Sequence, residues 1–242
     1  MALDRAIDSI RSNHLEFIHS LADVDLDRII NKQDEDGRTL LHAAASNGNA
    51  DLVKFLLEKG SSPNTSDDEG WTPLMSAVSA GREQAVNLLL EKGADVNAKN
   101  SSGQTALHYA ASKSQRANVI RSLLAKGADV SAKDSTGSAP LHRACSAGRF
   151  EAVKILIEEG KARVDAKDGM GGTPLYVAAS TGQQAIAVYL LSKGANVEAE
   201  DRDGETPLSV AATKSLRQAL VDVATGQKKA EDYLDEELMN DE

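Results

Sequence analysis

Aromatic side chains are scarce in this chain, at 3% of 242 residues, and tryptophan occurs once, at Trp71. The apolar fraction of 41% still suffices for a folded protein. Any core must therefore be assembled from Ala, Leu, Val and Ile, which favours thin, closely packed layers. A single cysteine, Cys145, excludes an internal disulfide and a multi-cysteine metal site. No apolar run reaches the roughly 18 residues that a spanning helix needs. The first residues, MALDRAIDSI, carry acids where a signal peptide has a basic start. An intracellular, soluble protein is the expectation. Positive charge is also in deficit: the net charge is -10 and the pI near 5.0. Such a surface repels phosphate backbones and anionic lipid, so neither nucleic acid nor membrane is an expected partner.

What the chain has in abundance is internal likeness. DGRTLLHAAASNG from Asp36, EGWTPLMSAVSAG from Glu69, SGQTALHYAASKS from Ser102, TGSAPLHRACSAG from Thr136, GGTPLYVAASTG from Gly171 and DGETPLSVAAT from Asp203 are copies of one pattern. Thr39, Thr72, Thr105, Ala139, Thr173 and Thr206 mark its register, with steps of 33, 33, 34, 34 and 33 residues. A fixed period of this length predicts a solenoid.

Each copy has a mechanical reading. A turn glycine such as Gly70 supplies positive φ at the tip. Two residues later a threonine caps a helix, and in four copies proline takes the first helical position, where its missing N–H costs nothing. In the copy at Glu69, Leu74, Ala77 and Val78 then fall on one face of a short inner helix that Gly81 closes. Val86, Leu89 and Leu90 mark a second, outer helix. No single copy buries enough apolar surface to fold alone, so stacking must hold the array together.

The TPLxxA and GADVNA segments resemble the ankyrin repeat over roughly residues 34–214. The expected fold is an all-α ankyrin-repeat solenoid of seven helix-turn-helix repeats with short hairpin tips and a concave binding face. Its domain spans 1–224, divided as 1–33 (a degenerate N-terminal cap of two helices), 34–66, 67–99, 100–133, 134–167, 168–200 and 201–224. SLRQALVDVA serves as the last outer helix. Residues 225–242, with seven acids against two lysines, are expected to be a solvated, flexible tail. Two copies carry one extra residue, near SKSQR in the fourth repeat and after EEG in the fifth. Both insertions fall in loops.

Catalytic chemistry is not in view. His42, His108 and His142 stand at the TPLH position, where the ankyrin imidazole ties threonine to neighbouring backbone. His14 and His19 lack a metal-ligand spacing. Cys145 replaces a core alanine. There is no phosphate loop or nucleophile elbow, so no enzyme activity, cofactor or metal is expected.

Binding belongs instead to the groove. Its side chains come from the two positions before each turn glycine, the one after it, and the two before the inner helix closes. These include Asp36, Arg38, Ser46 and Asn47 in the second repeat, Asp68, Glu69, Trp71, Ser79 and Ala80 in the third, and Lys113 in the fourth. Trp71 reads as an interface anchor, or else as a cover for its turn. Tyr109 and Arg143, one residue beyond the TPLH histidine, face the groove or pack between repeats. The expected partner-binding set is Arg38, Asp36, Asp68, Glu69, Trp71, Tyr109, Lys113 and Arg143.

DDEGWTPLMSAVSAGREQ, TALHYAASK and LHRACSAG further resemble the gankyrin family, ankyrin-repeat chaperones of proteasome regulatory-particle assembly. The resemblance implies a monomer of cytoplasm and nucleus that clasps the C-terminal domain of a base ATPase subunit. The family's basic contacts to an acidic stretch of that ATPase fall here on Arg38 and Lys113. Where animal members carry a Leu-x-Cys-x-Glu motif for retinoblastoma-type proteins, this chain has Val177, Ala179 and Thr181, which argues against that partner. A general ankyrin adaptor in signalling or transcription is the alternative.

Overall fold

The computed structural model describes residues 2–12, 16–20 and 23–238, and the side chains of these apart from His19, residues 23–24 and residues 235–238. The described residues are helices and turns without strands. They divide into two compact bodies, 1–110 with 118–129 and 111–117 with 130–242. His14 and the side chain of His19 lie outside the described part.

In the first body the copies become helix pairs: α4 (Leu40–Asn47) with α5 (Ala50–Glu58), and α6 (Pro73–Ala80) with α7 (Glu83–Glu91). Thr72 accepts the Met75 N–H, Pro73 opens α6, and Gly81 closes it at φ 75°. Leu74, Met75, Ala77 and Val78 are buried on one side of α6, with Ala85, Val86, Leu89 and Leu90 facing them from α7. Ahead of these pairs, α1 (Ala2–Arg11) lays Leu3, Ala6, Ile7 and Ile10 against α4. The rest of the N-terminal cap is described over α2 (Glu16–Ser20) and α3 (Asp23–Ile29). In the fourth repeat, α8 is Ala106–Ser112 and α9 is Ala117–Ala125.

Six tips share one construction. Asp34, Asp67, Asn100, Asp134, Asp168 and Asp201 each accept two backbone N–H groups, from residues two and four further on, with their Oδ1 atom. This side chain closes a five-residue loop around the turn glycine. Tips are also tied to one another: the Asp68 N–H donates to the Asp36 carbonyl at 3.1 Å, Ser101 to Glu69 at 2.9 Å, Gly169 to Thr136 at 3.0 Å and Arg202 to Met170 at 2.9 Å. Gly37 shows why glycine is required, because a Cβ there would lie 2.7 Å from the Asp68 nitrogen.

Elsewhere in the first body, an asparagine ladder repeats the tie. Asn31 donates to the Gly60 carbonyl and accepts from the Ser62 N–H, Asn64 does the same with Gly93 and Asp95, and Asn97 with Gly127 and Asp129. Asn31 therefore keeps the N-terminal cap in the same 33-residue register as the later copies.

The second body contains α10 (Pro140–Ser146) with α11 (Phe150–Glu158), α12 (Pro174–Ser180) with α13 (Gln184–Ser192), then α14 (Lys214–Ala224) and α15 (Ala230–Leu238). Two expectations fail here. First, TPLSVAAT forms turns instead of an inner helix. Thr72 precedes Arg82, the cap of its outer helix, by ten residues, whereas Thr206 precedes Thr213, the cap of α14, by seven (82 - 72 and 213 - 206). The missing three residues amount to nearly one helical turn. Second, residues 230–238 of the expected flexible tail form α15. Ala230 and Tyr233 pack on Val188 and Ala219, and the Tyr233 hydroxyl donates to Asp222 at 2.7 Å. Ala230, Tyr233 and the half-buried Leu234 make an apolar stripe at helical spacing, which the acid count concealed.

Both inserted residues have a backbone cost. Gln115 and Lys161 are the non-glycine residues with positive φ among the described residues, at 53° and 57°. They sit where the fourth repeat lacks its closing glycine and where the fifth is one residue long. Replacing either by glycine is expected to raise unfolding free energy by roughly 0.5–1 kcal/mol, measured by urea titration. Ser61 offers a separate test. Its buried hydroxyl has no hydrogen-bond partner, while Ala94, Ala162 and Ala195 fill the same position in other repeats. Ser61→Ala is expected to stabilise the protein by about 1 kcal/mol, read as an upward shift in thermal midpoint.

Candidate recognition site

The TPLH histidines prove to be structural links. The Thr39 N–H donates to His42 Nδ1 at 3.1 Å, which leaves the ring proton on Nε2 to donate to the Trp71 carbonyl at 2.9 Å. His142 repeats this between the Ala139 N–H and the Gly172 carbonyl. Burial holds both imidazoles below their ordinary pKa, so they are neutral links between consecutive repeats. At His108, Nδ1 accepts from the Thr105 N–H in the same way. Cys145 is fully buried, and desolvation pushes its thiol pKa far up. No group of three or more potential ligands among the described residues is placed to hold a metal ion. No described helix is long and apolar enough to cross a membrane.

With the imidazoles committed, the open chemistry of the first body lies in a cavity of about 490 Å³. Arg38, Ser46, Asn47, Trp71, Ser79 and Ala80, all expected groove positions, line it together. His42, Ala43, Asp67 and Ser76 complete its floor, and Ile7 and Arg11 reach it from α1, with Arg82 from the start of α7. Trp71 is half-buried and leans on Tyr109, ring centroids 4.6 Å apart and planes tilted by 44°. The Tyr109 hydroxyl accepts from Asn100 Nδ2 at 2.8 Å, which ties this aromatic pair to a tip.

Three guanidinium groups thus border a cavity in a chain of charge -10. Arg38 Nε lies 3.4 Å from Asp67 Oδ2; the carboxylate is 5% exposed and the arginine side chain 49%. One edge of this guanidinium is anchored while the rest faces solvent. Arg82 Nε donates to the Ser46 carbonyl at the end of α4. Arg11 stands 3.9 Å from Asp8. Sequence reasoning omitted Arg11, Arg82 and Ile7. Arg82, directly after the closing glycine, carried a signal in the SAGR turn, whereas the α1 residues required knowledge of how the cap packs.

The remaining first-body residues are tip side chains. Asp36, Asp68 and Glu69 are exposed, and Glu69 accepts from the Ser101 hydroxyl at 2.9 Å. The other two sequence-derived residues belong to the second body. Lys113 is exposed beyond α8. Arg143 turns back to the tip of its own repeat, where Nε donates to Asp134 Oδ2 at 2.9 Å, so it neutralises an internal carboxylate.

The Asp134 side chain is wholly covered. Burial alone would raise its pKa, yet hydrogen bonds from Thr136 and Arg143 outweigh this and pull it from 3.8 down to about 2. A carboxylate with a depressed folded-state pKa stabilises the fold above its unfolded pKa, and that contribution fades as pH falls from about 4 towards 2. Asp134→Asn is expected to cost roughly 2 kcal/mol at pH 7. In urea unfolding, the deficit relative to the parent protein should shrink across that acidic window.

Comparison with known proteins agrees with this architecture. A family model described as ankyrin repeats (3 copies) matches residues 6–100, 92–168 and 161–229. Among solved structures, the ankyrin repeat domain of Bcl-3, a unique member of the IkappaB protein family, aligns at a TM-score of 0.76 and 26% identity, covering 89% of this chain and 97% of that one. Matching solved chains number 609, so likeness of shape does not by itself select a partner. No curated protein matches. The repeat-to-repeat links, the matched segments and the shared fold together establish that this chain belongs to the ankyrin-repeat family.

Proposed function

We propose that this ankyrin-repeat scaffold is an assembly chaperone of the proteasome regulatory particle that binds the C-terminal domain of a base ATPase subunit. The observation that carries the binding role is the convergence of Arg38, Ser46, Asn47, Trp71, Ser79 and Ala80 on one cavity. These positions come from two different repeats. The identity of the partner is supported by the GWTPL, HYAASK and LHRA segments and by retention of Arg38 and Lys113. Bordering arginines suit an acidic stretch, and an indole beside them supplies apolar contact area. Function then comes from occupancy: while the chaperone is bound, the ATPase face it covers cannot dock elsewhere. Turnover is not required, and the ankyrin fold is typically a non-enzymatic interaction scaffold. A monomer present in cytoplasm and nucleus fits this role.

A second reading, an adaptor in signalling or transcription, is favoured by the likeness to the Bcl-3 ankyrin domain. Affinity purification from cell extract separates the two, because recovery of base ATPases supports the chaperone and an unrelated partner set supports the adaptor. For the chaperone, Arg38→Glu with Lys113→Glu is expected to weaken binding to the ATPase C-terminal domain by roughly tenfold or more, measured by calorimetry. Arg38→Gln serves as a control for the loss of the Asp67 pair. Unchanged affinity in a double variant that keeps its melting temperature would remove the chaperone reading.

A further inference from the structure

Comparison of one position across the first-body and second-body repeats isolates Ser66. Its counterparts in the other repeats are Gln33, Lys99, Lys133, Lys167 and Glu200. Three of these perform a common task. Gln33 donates to the Ser66 carbonyl at 2.9 Å, Lys133 to the Lys167 carbonyl at 2.8 Å and Lys167 to the Glu200 carbonyl at 2.8 Å. In each case a long side chain links its repeat to the next. A serine is too short to make this link, so the second repeat has a short hydroxyl where its neighbours have a reaching amide or ammonium. Ser66 is exposed and lies in the irregular stretch between α5 and α6, with no helix to hold its backbone.

The residues after Ser66 are equally particular to this copy. Asp67, Asp68 and Glu69 occupy the next three positions, and Asp68 and Glu69 are exposed. No other tip places a hydroxyl ahead of three consecutive acids. Asp67 is withdrawn into the tip, where it accepts the Glu69 and Trp71 N–H groups and meets Arg38. An enzyme approaching from solvent therefore encounters a hydroxyl with carboxylates two and three residues beyond it.

We propose that Ser66 is a phosphorylation site for a serine/threonine kinase with a basic substrate groove. In the transfer, Ser66 Oγ attacks the γ-phosphorus of a nucleoside triphosphate held by the kinase. The new Oγ–P bond forms as the bond to the β,γ-bridging oxygen breaks; the nucleoside diphosphate leaves, and the hydroxyl proton passes to the kinase's general base. The product adds a charge of about -1.5 to -2 next to the Asp67–Arg38 pair on the edge of the cavity. This site does not depend on which partner the cavity holds.

The test uses the full chain, magnesium ATP and a casein-kinase-type serine/threonine kinase of acidic preference, with phosphate mapped by tandem mass spectrometry. Incorporation at Ser66 is expected, with at least a tenfold loss in Ser66→Ala and a comparable loss in Asp68→Asn combined with Glu69→Gln. Circular dichroism melts of these surface variants should match the parent protein. Failure of the parent chain to accept phosphate at Ser66 overturns the proposal, as does incorporation that ignores the loss of the two acids.

Discussion

The fold depends on polar groups that each repeat leaves for its neighbour to satisfy. His42 spends its Nε2 proton on the carbonyl of Trp71, in the following repeat, and His142 does the same with Gly172. Asparagines 31, 64 and 97 both give and take a hydrogen bond across the same kind of boundary. Tip amides donate to the carbonyls of the preceding tip. Because unpaired buried polar groups are costly, each buried imidazole requires its carbonyl on the next repeat. Apolar packing supplies most of the stabilisation, while these directional links set the spacing between neighbours. A small-residue core with 3% aromatics is workable because that spacing is held so closely.

This internal economy frees the surface. Once Oδ1 of each tip residue has closed its own loop, the side chains between it and the turn glycine are not needed for that closure and can vary. Asp36, Asp68 and Glu69 are such residues. Arg38 is intermediate, held at one edge by Asp67 and open at the other. That arrangement orients a cation without fully neutralising it, which limits the side-chain freedom lost when an anionic group arrives. Arg143, pressed against a wholly covered carboxylate, is nearer the structural end of the same range.

Much of this was legible in the sequence because the copies serve as mutual controls. The register of threonine, glycine and histidine located the helix pairs, and the offsets from the turn and closing glycines named six cavity residues. Three features were not legible for physical reasons. The shortened final copy keeps TPL, so its local signature survives although the distance to the next cap no longer accommodates a helix. The C-terminal acids conceal the stripe formed by Ala230, Tyr233 and Leu234, since composition is blind to which face a residue occupies. The contribution of Ile7 and Arg11 is set by the packing of α1 on α4, a tertiary fact without periodic trace.

Indole is the dominant intrinsic chromophore of most proteins, and here it occurs once, at Trp71, half-covered, against a tyrosine ring on the wall of the cavity. The near-ultraviolet emission of the whole molecule is therefore dominated by a residue on the wall of this cavity. Anything that settled against that wall would dim or shift this glow, without any dye having to be attached.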